Sequence, residues 1–180
     1  MHHHLHEAGI ERPSIDVPLE LTPAIDASME IADILGDRAL ALAEAPEEQA
    51  LFIVGHGPNA AEAYAGWMEN LRPVADSLQI LTGFRDVKVG LLRDDAPNGV
   101  RAEAVRRIRE IIELQHDVTG RPVVVVPLLI SRSYISLEKL PRDLEGMPMA
   151  YDGDGLLPHP GLAPWVERRV REAIGLNPAP

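Results

Sequence analysis

The sequence contains no cysteine. Disulfide frameworks and thiolate metal sites are therefore excluded, and a bound metal would have to be held by His, Asp or Glu. No apolar run approaches the roughly 20 residues of a membrane span. The opening MHHHLHEAG also lacks the apolar centre of a secretory signal. These absences give the expectation of a soluble, cytoplasmic protein with no membrane partner. Basic residues are outnumbered: 17 Lys and Arg stand against 28 Asp and Glu, for a net charge of -11. That balance argues against nucleic acid as a general partner, because phosphate binding needs Lys and Arg in excess on one face. Several enzyme signatures are missing as well. There is no glycine-rich dinucleotide fingerprint, no P-loop and no G-x-S-x-G elbow, so no organic cofactor is expected. A histidine phosphatase would carry Arg immediately before a His-Gly pair, and Gly55 precedes His56 and Gly57.

What is present is enough apolar material, 46% of 180 residues, for one well-packed core. Residues 1–17 hold four of the seven histidines without a clear period, and read as a flexible extension or a tag. Residues 18–180 read as a single domain. Thr22 can cap and Pro23 can open an amphipathic helix over 23–44. ALFIVG is a short buried strand, followed by a helix that Asn59 can cap with Glu62 and that Pro73 would kink or restart. DVKVGLL is a second strand. The next helix carries the stripe Val100, Ala104, Ile108 and Ile111, and its Arg101, Arg106, Arg107 and Arg109 read most simply as solvated surface. RPVVVVPLLI is the clearest strand, continuously apolar as expected when helices cover both faces. A weaker strand, MPMAYDG, and a closing helix from HPGLAPW complete the order. Apolar strands alternating with helices predict an α/β sandwich on a mainly parallel, four-stranded sheet, with residues 51–55, 86–92 and 122–130 adjacent.

Ligands of open parallel sheets sit beyond the carboxyl ends of the strands. Four loops therefore matter: His56 to Asn59, Arg93 to Pro97, Ser131 to Tyr134, and Asp152 to Asp154. His56 is either a metal ligand and proton carrier or a loop-stabilising imidazole, and position alone does not separate these. Asp94 and Asp95 can form an acidic metal-binding pair, although ordinary turn chemistry before Ala96-Pro97 is the simpler reading. His116 near a helix end and His159 between prolines read as capping or structural.

LFIVGHGP, LLRDDAP, VVVVPLLIS, KLP and LLPHPGLAPWVERRV, in this order and spacing, resemble the sirohydrochlorin chelatase family. These are the CbiX-type cobalt and iron chelatases of the class II chelatase superfamily, and the likeness runs from about Thr22 to Gly175. ELTPAIDASMEIADILGDRALALAE is similar to the segment that opens the C-terminal half of two-module members. The resemblance implies a chelatase-like, flavodoxin-like three-layer domain. It implies a lyase inserting a divalent metal, Co or Fe and by extension Ni, into sirohydrochlorin on the way to cobalamin or siroheme. His56 would bind the incoming ion and take pyrrole protons, with Asp94 and Asp95 as secondary ligands. Arg93 and Arg132 would anchor the carboxylates of the tetrapyrrole, with Asn59, Ser133 and Tyr134 completing the substrate contacts. A second histidine of many members falls on Ile135, and the glycine before it on Ser133. That departure implies a homodimer or partner module completing the cleft, or else a non-catalytic metal- or tetrapyrrole-binding module.

Overall fold

The structure, a computed structural model, describes residues 28–175. The extension expected over 1–17 and the start of the first helix lie outside the described residues. Helix α1 spans Met29–Leu42 and strand β1 Ala50–Gly55. Helix α2 (Ala61–Thr82) leads to β2 (Asp86–Leu91), α3 (Asn98–Thr119) and β3 (Val123–Leu128). A π-helical turn over Ile135–Lys139 runs into α4 (Leu140–Asp143), followed by β4 (Met149–Ala150) and α5 (Leu162–Ala173).

The sheet order is β2-β1-β3-β4 and every pairing is parallel. This is the flavodoxin-like order, whose chain reversal lies between β1 and β3. The apolar strands are continuous because both faces are covered. Leu51 and Ile53 of β1, with Val124 and Val126 of β3, pack under Ile31, Ile34 and Leu35 of α1 and Leu71, Val74 and Leu78 of α2. Leu162 and Trp165 of α5 join that layer from its edge. The alternate residues Ala50, Phe52, Val54, Val123 and Val125 face Ile108 and Ile112 of α3 and Leu140 and Leu144 at α4. Each fully buried Leu, Ile or Phe contributes about 1.5–3 kcal/mol, so both helical layers are held to the sheet chiefly by this two-sided burial.

Strand bounds move by one or two residues, and the larger departures have local causes. Helix α1 stops at Leu42 rather than 44, short of Pro46, which opens a 3-10 turn. Pro73 does not restart α2, which is continuous from Ala61 to Thr82. It lies on the exposed face, where a carbonyl deprived of its N–H partner can be hydrated. Ala60, not Asn59, is the N-cap of α2, and no side chain caps it. The fourth strand shrinks to two residues because the chain then crosses the end of β3, where Leu156 N–H donates to Leu129 C=O at 2.8 Å. No described helix is long and apolar enough to cross a membrane.

Candidate metal centre

The ladder between β1 and β2 continues past both strands. Leu92 N–H donates to Gly55 C=O at 2.9 Å and Arg93 N–H to His56 C=O at 2.7 Å, so the two loops leave the sheet side by side. Gly57 makes this possible: its φ is +80°, and a Cβ there would lie 2.8 Å from the Leu91 Cβ. Arg93 itself has φ 53°, which strains a side-chain-bearing residue. Its guanidinium holds the opposite loop, Nε donating to Pro58 C=O at 3.1 Å and Nη2 to Asn59 C=O at 2.8 Å. The same group lies 5.7 Å from the ring centre of Tyr64. A turn closed by Ala96 N–H on Arg93 C=O, 3.0 Å, then puts Asp94 and Asp95 at its centre. The turn reading and the acidic-pair reading are thus compatible.

His56, Asp94 and Asp95 come together, each offering a ligand atom within 4.8 Å of the others. His56 Nε2 lies 3.7 Å from Asp95 Oδ2. Its Nδ1 is 3.1 Å from the Gly57 carbonyl, which can only accept, so Nδ1 donates there and Nε2 is the ring nitrogen turned toward Asp95. Ligands on one small divalent ion lie about 3 Å apart, given bonds of about 2.0–2.2 Å, so modest side-chain rotations close the group. One imidazole and two carboxylates are a borderline set that binds Fe, Co or Ni without the grip of thiolates.

The two carboxylates differ sharply. Asp95 is 65% exposed, whereas the Asp94 side chain is 6% exposed. Asp94 Oδ1 accepts from Arg101 Nε at 2.9 Å, and Oδ2 from Lys139 Nζ at 2.7 Å. Burial alone would raise its pKa, but the hydrogen bonds from Lys139 and Arg101 outweigh it and hold the carboxyl below its ordinary range. Arg101 is in turn gripped through Nη2 by Asp143 Oδ2. Arg101 and Lys139 were not legible as site residues. Arg106 and Arg107 are solvated and paired with Glu103, as expected, but Arg101 is not solvated surface. It stands three residues before Ala104 and seven before Ile108, on the buried stripe of α3, and that period was the available signal.

The remaining expected contacts are separate from the cluster. Arg132 pairs through Nε with Asp154, whose other oxygen lies 3.5 Å from Arg38. Ser133 and Ser136 bond reciprocally at the start of the π turn, Ser133 N–H donating to Ser136 Oγ at 2.9 Å. Tyr134 is exposed, and the side chain of Ile135, the position of the second family histidine, packs against the α3-side core. Asn59 is exposed and offers its carbonyl to Arg93. His159 accepts from Gly161 N–H at Nδ1, 3.1 Å, and faces Asp37 through Nε2, a structural role as expected. His116 Nδ1 lies 2.8 Å from Arg121 C=O at the end of α3. A cavity of about 370 Å³ is lined by Tyr64, Arg93, Val100, Glu103 and Arg107.

Sequence comparison matches no family profile and no curated protein. Among solved structures, SirB from Bacillus subtilis with Fe3+ superimposes with a TM-score of 0.62 over 84% of this chain, at 16% identity. The fold is that of SirB. The superposition takes in 56% of the SirB chain, so this chain spans little more than half the length of the structure it matches. At that identity the likeness shows the fold alone, the parallel α/β sandwich expected from the sequence, and the chemistry must be argued from the residues.

Proposed function

We propose that the protein is a tetrapyrrole metal chelatase, inserting Co or Fe into sirohydrochlorin. The observation that supports this most is the convergence of His56, Asp94 and Asp95 beyond the carboxyl ends of β1 and β2 in a chelatase-type fold. Insertion requires that a divalent ion be delivered and that two pyrrole protons leave. The Nε2 lone pair of His56 takes the ion with Asp95, hands it to the pyrrole nitrogens, and is then free to accept one of the departing protons. Asp95, exposed beside it, passes protons to water. Arg93 supplies positive charge for the substrate's carboxylates at the rim of the same loop. Arg132 is the weaker anchor, since Asp154 already engages it.

A second reading is favoured by Ile135 and by the partial cover of SirB: a binding module, or a half-site completed by a second copy or partner chain. Anaerobic assays of Co2+ insertion into sirohydrochlorin, followed by absorbance, separate the two. Wild type should insert the ion, and His56→Ala should fall to the uncatalysed rate with its fold intact, because a loop imidazole contributes little core burial. Full activity in His56→Ala would refute the assignment. Cobalt binding by the wild type without insertion, at any protein concentration, would favour the binding module.

A further inference from the structure

The Lys139 ammonium sits 2.7 Å from Asp94 Oδ2, on the buried carboxylate that forms one corner of the candidate metal site. We propose that Lys139 is a tethered counter-cation of this site, holding Asp94 until a divalent ion displaces it. The inference rests on the metal-site reading above. Both oxygens of Asp94 are already engaged by cations, so Asp94 ligates a metal cleanly only if one cation leaves. The two are not equally mobile. Arg101 is 19% exposed, and Asp143 fixes it from the opposite side. Lys139 is 24% exposed, has Asp94 as its one carboxylate partner among the described residues, and ends a flexible four-carbon stem. It also leaves the chain at the last residue of the π-helical turn, where α4 begins.

The order of events follows from exposure. An arriving ion meets His56 Nε2 and the exposed Asp95 first, 3.7 Å apart, and gains Asp94 afterwards by expelling the ammonium. Repulsion between the ion and a fixed ammonium a few ångström away favours that exit. Binding is weakened by the competition, which keeps the ion exchangeable, as a delivery site needs and a storage site does not.

The test is a Co2+ titration followed by its visible absorption, on wild type, Lys139→Met, Lys139→Gln, Lys139→Arg and His56→Ala, with thermal melts to show that each is folded. Removing the competing charge in Lys139→Met or Lys139→Gln should tighten cobalt binding about tenfold or more. Lys139→Arg, which keeps the charge and holds carboxylates at least as well, should bind cobalt no more tightly than wild type. His56→Ala should lose binding. If neither neutral variant binds more tightly while His56→Ala loses the ion, the counter-cation inference is overturned and the site stands. If His56→Ala binds as wild type does, the metal-site reading falls and the inference with it.

Discussion

Replacing Asp94 by Asn tests whether the charge network under the site is real. The substitution keeps size and one acceptor but removes the charge that Arg101 and Lys139 share at 2.9 and 2.7 Å. Hydrogen bonds to charged groups contribute about 1.5–3 kcal/mol each. The loss is partly offset, because Arg101 keeps Asp143 and Lys139, 24% exposed, can rehydrate. A net destabilisation of about 2–3 kcal/mol remains. For a chain of 180 residues this lowers the melting temperature by about 6 °C. The difference should also depend on pH in one direction. The folded-state pKa of Asp94 is depressed, so its contribution is fully present above the unfolded value, about 3.9, and is lost as pH falls through the folded value. Urea unfolding of wild type and Asp94→Asn in EDTA should therefore show a constant gap from about pH 5 to 8, narrowing below about pH 4. A gap under about 0.5 kcal/mol at neutral pH would refute the network, being no more than an ordinary surface substitution produces. A gap that does not narrow in acid would show that the effect does not arise from an ionised carboxylate, and so not from the charge of Asp94.

Gly57→Ala should lower stability by about 2 kcal/mol and abolish cobalt binding, since φ +80° and a Cβ 2.8 Å from Leu91 leave alanine no room; an unchanged melting curve would contradict this. Arg93→Met removes both side-chain hydrogen bonds that hold the Pro58 and Asn59 carbonyls, and should cost about 1 kcal/mol and several-fold in cobalt affinity. Unchanged affinity by titration would mean that the His56 loop holds its shape without Arg93.

The strands were legible because two-sided burial leaves a plain mark: Val123 to Val126 are all buried, half of them toward each helical layer. That His56, Asp94 and Asp95 lie close together was legible because a parallel sheet brings the loops after its strands to one end. What escaped was long-range electrostatics. Nothing local in the sequence connects Asp94 with Lys139, 45 positions away, or Arg101 with Asp143, 42 away. Asn59 misled because capping residues are recognised by type. Here the loop leading into α2 is shaped by Arg93 drawing on the carbonyls ahead of the helix, a contact spanning 34 positions.

Those long-range pairs also bear on how an acidic protein would keep the proposed site both formed and weak. Asp94, Asp95 and Asp143 would repel one another if left alone, and two of the three are largely buried. Arg101, wedged between Asp94 and Asp143, removes that repulsion permanently because its planar fork is gripped on both sides. Lys139 removes the rest conditionally, through a single contact that a divalent ion can take over. With both cations seated, the group around the imidazole carries one net negative charge, enough to attract an ion but too little to retain it strongly. A site with Asp94 free would bind metal more tightly and release it more slowly. On the proposed function, transfer to a tetrapyrrole depends on release, and the ion pairs that make Asp94 a poor ligand would suit this cluster to passing a metal on.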